Sequence, residues 1–380
     1  MKTTSNAARI MTRKSFSKLL RALIEEGYEL IGPTVREGVV VFDQIDGIED
    51  LPGGIEDVQG RGHYRLEGSR ARDDGRLFGF VSGPDSAKRW LFPPREVVAT
   101  IRRAEKHLEF DEPSEAPRYA FVGLRACDLR AVAIQDRVFS AGPSVNASYV
   151  RRRENAFFIG VNCARAGENC FCTSMGSGPR CTQGYDLVLT ELDMGFMVEA
   201  GSANGSRLLA GVHTRCATKE EMSEADSIPE ETSRRMAKSV ETEGLPTLLK
   251  QSRESSRWEE IAQLCLACGN CTAVCPTCFC HDIVDGVDLT GTRADRTREW
   301  ASCFSLDFSR AMGTHLRASV GARYRQWITH KFGSWVDQFG ESGCVGCGRC
   351  ITWCPAGIDV TEQLALLGGN GAGNEGEAGT

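Results

Sequence analysis

Cysteine is the residue whose number and spacing in this chain point most directly to chemistry. The sequence has 17 cysteines in 380 residues, and they are strongly clustered. Residues 265–280 read CLACGNCTAVCPTCFC, and residues 344–355 read CVGCGRCITWCP. Disulfide frameworks of this density are typical of small secreted domains, whereas clustered thiolates bind soft metals such as iron and zinc. The clustering therefore indicates metal ligation.

Both segments follow the pattern C-x2-C-x2-C-x3-C-P, which is the spacing of bacterial ferredoxins that hold two 4Fe–4S clusters. In that pattern three cysteines bind one cluster and the fourth binds the other. The predicted ligands are Cys265, Cys268, Cys271 and Cys354 for the first cluster, and Cys344, Cys347, Cys350 and Cys275 for the second. The alternative is a pair of structural zinc sites, but these usually take their ligands from two separated C-x2-C pairs. The spacing favours iron–sulfur clusters.

Glycines inside the two motifs have a predicted role as well. Gly269, Gly346 and Gly348 have no side chain, so the backbone at these positions can approach the sulfur atoms closely. Backbone N–H groups at that distance would donate hydrogen bonds to sulfur and influence the reduction potential.

A second group of cysteines follows two predicted strands. Cys127 lies in GLRACDLRAV, and three more lie in GVNCARAGENCFCTSMGSGP, namely Cys163, Cys170 and Cys172. The carboxyl ends of strands are where α/β proteins build their sites. Four thiols there can hold a third 4Fe–4S cluster or a tetrahedral zinc ion, and the alternative for Cys127 is a buried thiol without metal. Cys181 and Cys216 are expected to be structural. Cys278, Cys280 and Cys303 are expected to pack as core thiols beside the clusters, and the alternative is a further metal site that they form with His281.

Apolar periodicity predicts the elements that position these cysteines. A first helix is predicted around Phe16–Ile24 and ends at Gly27. Strands are predicted at 28–33, 38–45, 77–81, 118–124, 156–162, 185–192 and 195–201. Helices are predicted at 127–139, 217–240, 304–313 and 317–332.

The predicted fold is a multidomain α+β protein, in which an N-terminal and central α/β region precedes a mainly helical dicluster ferredoxin domain. The expected segments are a mixed α/β region at 1–117, an α/β domain with cysteine-rich loops at 118–240, a linker at 241–256, a helical 4Fe–4S dicluster ferredoxin domain at 257–365, and a disordered tail at 366–380. The tail is rich in glycine and has few apolar residues, which is typical of disorder.

Composition excludes several classes of function. The net charge of −6 argues against a general nucleic-acid binder. The sequence shows no apolar run long enough to span a bilayer and no secretory leader at its beginning, so we expect a cytoplasmic protein without membrane attachment. A Walker loop, a G-x-G-x-x-G turn after a strand and a G-x-S-x-G motif are also absent, which argues against a nucleotide site or a serine hydrolase site in this chain.

Three stretches together resemble one protein family. The three stretches are GLRACDLRAV, then GVNCARAGENCFCTSMGSGP with YDLVLTEL after it, and finally CTAVCPTCFC. They are similar to the beta subunit of cytosolic sulfhydrogenase-type nickel–iron hydrogenases. The same family includes the corresponding iron–sulfur subunit of anaerobic sulfite reductase. The resemblance extends over most of the chain, from Phe16 to Ala365. Cys181 departs from the family pattern, so no role is carried onto it.

The resemblance implies an electron-transfer subunit that carries 4Fe–4S clusters and leaves catalysis to its partners. In the hydrogenase branch, the expected partners are a flavin- and NAD(P)-binding subunit on one side and the large and small nickel–iron hydrogenase subunits on the other. In the sulfite reductase branch, a sirohaem subunit replaces the hydrogenase subunits. The alternatives are a free-standing iron–sulfur reductase and a scaffold with structural zinc.

Overall fold

The computed structural model describes residues 8–68, 75–104, 107–111, 116–142 and 144–369 of the chain. Its strands are β1 (Arg9–Met11), β2 (Glu29–Arg36), β3 (Val39–Gln44), β4 (Ile55–Gly60), β5 (His63–Gly68), β6 (Arg95–Arg103), β7 (Leu108–Asp111), β8 (Tyr119–Leu124), β9 (Phe157–Val161), β10 (Leu187–Leu192), β11 (Gly195–Ala200), β12 (Arg215–Cys216), β13 (His281–Val287), β14 (Arg293–Trp300), β15 (Arg310–Ala311) and β16 (Thr314–His315). Its helices are α1 (Arg13–Glu25), α2 (Lys88–Leu91), α3 (Ala126–Phe139), α4 (Ala147–Glu154), α5 (Ala203–Ala210), α6 (Lys219–Arg234), α7 (Leu245–Gln251), α8 (Arg257–Leu264), α9 (Asn270–Ala273), α10 (Val320–Thr329), α11 (Trp335–Phe339), α12 (Arg349–Thr352) and α13 (Val360–Leu367).

An eight-stranded mixed sheet forms the centre of the molecule. Its strand order is β12-β1-β11-β10-β9-β8-β2-β3. The four middle strands β10, β9, β8 and β2 run parallel, and the outer pairs are antiparallel. Strands β8 and β9 are buried along their whole length, as expected for parallel strands that are covered on both faces. The carboxyl ends of β8 and β9 therefore lie side by side.

Helix α1 packs against this sheet through one apolar face. Thr12 caps its amino terminus by accepting a hydrogen bond from the backbone N–H of Ser15. The buried side chains recur at helical spacing and include Phe16, Leu20 and Leu23, which belong to the main hydrophobic core. The helix ends at Glu25, just before Gly27, so the prediction for this element is confirmed.

The segment between the two cysteine motifs is not mainly helical as predicted. Strands β13 and β14 form a hairpin, and β14 pairs with β6 of the N-terminal region to give a four-stranded sheet in the order β13-β14-β6-β7. The helix predicted at 304–313 is also wrong, because this stretch forms a 3-10 turn at Asp307–Ser309 and the β15–β16 hairpin. The helix predicted at 317–332 is present as α10, followed by a π-helical turn at His330–Ser334.

The strand predicted at 77–81 is absent from the sheets. The backbone N–H groups of Leu77 and Phe78 donate to the carboxylate of Glu191 at 2.6 and 3.0 Å, and that of Val81 donates to Asp57 at 2.7 Å. Buried carboxylates thus take the place of a neighbouring strand as hydrogen-bond acceptors.

Two predicted boundaries also change. Helix α6 ends at Arg234, earlier than the 217–240 prediction, and the linker segment 241–256 contains helix α7. Leu245 and Leu249 are buried in a second core with Trp258, which explains why this polar stretch is ordered. Of the predicted tail at 366–380, the residues from 370 onward lie outside the described part of the chain, and Leu367 still belongs to α13.

Within the described residues, every helix is either too short or too polar to cross a membrane.

Glu191 is a sensitive position for stability, because it is 3% exposed and accepts two backbone hydrogen bonds. We expect Glu191→Leu to lower the free energy of unfolding by roughly 2–4 kcal/mol, since two buried N–H groups would lose their acceptor. Denaturant unfolding followed by circular dichroism would measure it, with the exposed Glu224→Leu as the control. Equal stability of the two variants would contradict this role.

Candidate metal centres

The first site is a cavity between helix α10 and the two cysteine motifs. Its lining includes five thiols, those of Cys265, Cys268, Cys271, Cys350 and Cys354. The rest of the lining is mostly aromatic and apolar, with Phe304, Tyr324, Trp327, Ile358 and Val360. The backbone N–H of Ala267 points to the Cys265 sulfur, and the N–H of Ile358 points to the Cys354 sulfur, each at 3.4 Å. All four residues predicted to bind the first cluster therefore meet at one cavity.

The second site lies next to the first. Its cavity is lined by Cys275, Cys344, Cys347 and Cys350, together with Phe171, Trp327, Lys331, Phe332, Arg349 and Val360. The Gly346 N–H donates to the Cys344 sulfur at 3.4 Å, which agrees with the predicted role of this glycine. The four residues predicted for the second cluster are thus also brought together.

The third site lies at the carboxyl ends of β8 and β9. Cys127 is in the first turn of α3, directly after β8, and Cys163 follows β9. Both line one cavity with Cys170, Cys172 and Cys347. This juxtaposition follows from the topology, because neighbouring parallel strands end at the same edge of a sheet.

Two glycines of the second cysteine motif allow close backbone contact with the loop of the third site. Gly346 and Gly348 have positive φ values of 63° and 75°. A Cβ atom at Gly346 would lie 2.6 Å from the backbone of Phe171, and one at Gly348 would clash with the backbone of Asn169. Only glycine fits both the conformation and the space. The Phe171 N–H donates to the Gly346 carbonyl at 2.8 Å, which joins the two loops.

A buried ion pair joins the same two sites. Arg349 donates to Asp128 at 2.7 Å, and both side chains are fully buried. Arg349 also donates to the carbonyls of Gly83 and Asp85 at 2.8 and 3.1 Å. Asp128 follows Cys127 of the third site, and Arg349 precedes Cys350 of the second. Arg125 is the N-cap residue of helix α3, and Asp128, three residues later, accepts the Arg125 N–H.

Burial controls the thiol chemistry. It raises the pKa of Cys170 to about 12 and the pKa of Cys344 to about 12. Cys275 differs, because a hydrogen bond from the Cys278 thiol and the nearby Lys331 ammonium hold its pKa well below the usual value. Burial also lowers the pKa of Lys331, but the surrounding thiolates outweigh this and raise it above its usual range.

The cysteines without an assigned role fall into two sets. Cys278 contacts Cys275, and Cys303 lies near Cys271 and Cys280, so these thiols pack beside the first two sites. Cys181 is buried, and its N–H donates to Asn162 at 2.8 Å, whereas Cys216 is exposed on β12. Lys331 could not be recognised from the sequence, because an isolated basic residue carries no characteristic spacing, whereas Arg349 lies inside the second motif.

Comparison with known proteins gives two matches. Residues 264–358 match the family model of the 4Fe-4S dicluster domain. The chain is 32% identical over 282 residues to sulfhydrogenase 2 subunit beta of Pyrococcus furiosus, which covers 73% of this chain and 83% of the relative. The chain belongs to the family of sulfhydrogenase beta-type iron–sulfur subunits. The comparison with solved structures found no significant match.

The side chains of this sulfhydrogenase beta-type subunit fit 4Fe–4S clusters. Buried donors without a hydrogen-bond partner among the described residues line each site: the Tyr324 hydroxyl and Trp327 indole at the first, Arg349 Nη1 at the second and Arg125 Nε at the third. Sulfide and thiolate sulfur are acceptors for such donors. In the described part of the chain, no three His, Cys, Asp or Glu side chains converge closely enough to hold a single metal ion. Instead, the thiols of each of the three sites line a cavity.

Removal of one partner of the Arg349–Asp128 pair should be strongly destabilising. We expect Arg349→Leu to destabilise the protein by about 3–5 kcal/mol, because it leaves the Asp128 carboxylate buried without a partner. Chemical unfolding of anaerobically prepared protein would measure the loss. Arg89→Leu is the matched control, since Arg89 is exposed and its ion pair with Asp85 lies at the surface.

The double variant Asp128→Leu/Arg349→Leu tests the cause. It should be more stable than Arg349→Leu alone, since no charge is then left unpaired in the interior. A double variant less stable than either single variant would show that the ion pair is not the origin of the effect.

Proposed function

We propose that this chain holds three 4Fe–4S clusters in a row and passes electrons along them. The proposed ligands are the cysteines at the three sites: Cys265, Cys268, Cys271 and Cys354 at the first, Cys275, Cys344, Cys347 and Cys350 at the second, and Cys127, Cys163, Cys170 and Cys172 at the third. A 4Fe–4S cluster with four thiolate ligands supplies one-electron chemistry and has no open iron position for a substrate. The dicluster family match supports the first two assignments.

The observation that carries this proposal is that consecutive sites share a thiol. Cys350 lines both the first and the second cavity. Cys347 lines both the second and the third cavity. The second site therefore lies between the other two, and the order first, second, third is the route along which an electron would travel.

The protein residues around the sites have two tasks. Apolar and aromatic side chains exclude water from the first two cavities, and backbone N–H groups stabilise charge on sulfur. Cys268 is exposed, so the first site approaches the surface and gives the route an end that a partner can reach.

The name of the Pyrococcus furiosus relative supports the hydrogenase branch. We propose that this chain connects a flavin- and NAD(P)-binding subunit with the large nickel–iron hydrogenase subunit and its small iron–sulfur partner. A sirohaem sulfite reductase subunit is the alternative partner. A complex purified through this chain should contain nickel and lack sirohaem absorption, and the reverse result would assign the chain to the sulfite reductase branch.

Cluster content is the direct test of three sites. Anaerobically purified protein should contain about twelve irons per chain and a similar amount of acid-labile sulfide. Cys172→Ser should lose about four of these irons, because only the third site loses a ligand. Iron analysis with electron paramagnetic resonance would measure both, and Cys216→Ser, at an exposed position, should lose none. About eight irons in the unmodified chain would remove the third cluster.

If the chain is an electron relay, loss of a ligand at the second site should interrupt electron transfer along the chain. In the purified complex, Cys344→Ser should lower hydrogen oxidation coupled to NAD(P) by roughly tenfold or more, because the route is broken between its ends. Hydrogen oxidation with an artificial dye that takes electrons before this site should persist. The ratio of the two rates in one preparation cancels differences in assembly. An equal loss of both rates in a fully assembled complex would contradict the relay.

The free-standing reductase alternative makes the opposite prediction for the isolated chain. As a relay, the chain alone should accept electrons from dithionite without oxidising NADPH. Oxidation of NADPH by the isolated chain with a bound flavin would favour the alternative.

A further inference from the structure

Two lysines are buried beside Cys275. Lys88 and Lys331 are each 4% exposed. Isolated ammonium groups are expensive to bury unless a negative charge compensates them. No carboxylate of the described residues forms an ion pair with either lysine, and the partners that the structure gives them are hydroxyl, carbonyl and aromatic groups. The compensating charge must therefore come from the thiolate site next to them.

Lys331 is held in place by an irregular turn. It lies in the π-helical segment His330–Ser334, a type of turn that is frequent at functional sites. The backbone carbonyl of Lys331 accepts the N–H of Gly343 at 2.8 Å and the hydroxyl of Ser342 at 3.0 Å. These bonds fasten the turn to the residues just before Cys344. The Lys331 side chain is thereby placed at the second site.

The Lys331 ammonium is placed at Cys275 by a shared cavity and by Thr277. It donates to the Thr277 hydroxyl at 2.7 Å and to the Gly343 carbonyl at 3.2 Å, and its side chain lines the same cavity as Cys275. The Thr277 hydroxyl accepts from Lys331, donates to the Gly343 carbonyl at 2.7 Å and lies 3.2 Å from the Cys275 sulfur. Thr277 thus holds the Lys331 ammonium next to Cys275.

Lys88 is the second buried lysine near Cys275. Its ammonium donates to the carbonyls of Thr272 and Ala273 at 3.4 and 3.0 Å and lies 3.9 Å from the centre of the Trp300 ring. Both carbonyls belong to helix α9, which contains Cys271 and directly precedes the segment with Cys275. Lys88 thus anchors the segment that carries Cys275.

The first and third sites have a different charge environment. At the first site, the buried Arg323 is directed to the carbonyls of Arg317 and Ala318 rather than to a thiol. At the third site, Arg125 donates to the carbonyls of Phe78 and Phe80, and the nearby basic residues are paired with carboxylates, Arg165 with Asp57 and Arg349 with Asp128. Of the three, the second site has the most uncompensated positive charge.

We propose that the Lys331 ammonium gives the second cluster the highest reduction potential of the three, so that a single electron in the chain resides at the middle site. The reason is that positive charge stabilises the reduced, more negative state of the cluster more than the oxidised state. The inference rests on the proposed three-cluster relay. The second cluster would then hold one electron between its transfer from one end of the route and its transfer to the other.

The test is a redox titration of the full-length chain followed by electron paramagnetic resonance. The signal of the second cluster is identified as the one that Cys344→Ser removes, and in the unmodified chain it should appear first on reduction. Lys331→Gln should lower the midpoint of this signal by about 59 mV or more, which is a tenfold change for one electron, and leave the other two midpoints unchanged. Lys331→Arg should retain the original order of reduction. Lys250→Gln, at an exposed lysine that pairs with Asp337, is the matched control.

Three results would contradict the proposal that Lys331 raises the reduction potential of the second cluster. One is an unchanged midpoint in Lys331→Gln with full iron content. Another is loss of about four irons in both Lys331→Gln and Lys331→Met, which would assign the lysine to cluster assembly. The third is a second-cluster signal that appears last in the unmodified chain. Too little iron in the unmodified chain would instead refute the three-cluster relay, so the two failures are distinguishable.

Discussion

The ion pair between Arg349 and Asp128 is the interaction on which the arrangement of the sites depends. Each residue is adjacent in sequence to a cysteine of a different site, and the pair is fully buried. A buried ion pair is weak as a source of net stability but strict in geometry, because neither charge tolerates the loss of its partner. It therefore fixes how the end of β8 faces the second cysteine motif, and this brings the shared Cys347 to the boundary between the second and third sites.

Close backbone contact makes that arrangement rigid. Gly346 and Gly348 admit the Asn169–Phe171 backbone at distances that any side chain would prevent. The Ser177 hydroxyl also donates to the Val345 carbonyl at 2.5 Å, and Asn169 bridges to the Thr352 hydroxyl at 2.9 Å. Hydrogen bonds, glycine contacts and an ion pair all act across the same boundary. Relative movement of the two loops would break several of them at once, so the spacing between the second and third sites is set by the fold rather than by a flexible hinge.

The sequence was most informative where the determinants are local. The two cysteine motifs have their ligands at fixed short spacing, so the first two groups could be predicted directly from the pattern. The third group could be predicted because Cys127 and Cys163 each follow a buried strand. Prediction failed where the partner is distant along the chain. The stretch 77–81 has a strand-like composition, but its hydrogen bonds go to Glu191, Asp57 and Arg125. The hairpin of β13 and β14 depends on β6, which lies almost two hundred residues earlier.

The long segment between the motifs has a role beyond spacing. It contributes the β13–β14 hairpin, which pairs with β6 and attaches the dicluster region to the N-terminal region. It also supplies Tyr324, Trp327 and Lys331, which line the first two cavities. A shorter connection of the two motifs would still bring eight thiols together, but it would leave the cavities without these donors and without a positive charge at Cys275. The motifs thus account for where clusters can bind, whereas the inserted segment determines how the linings of the first two cavities differ from each other.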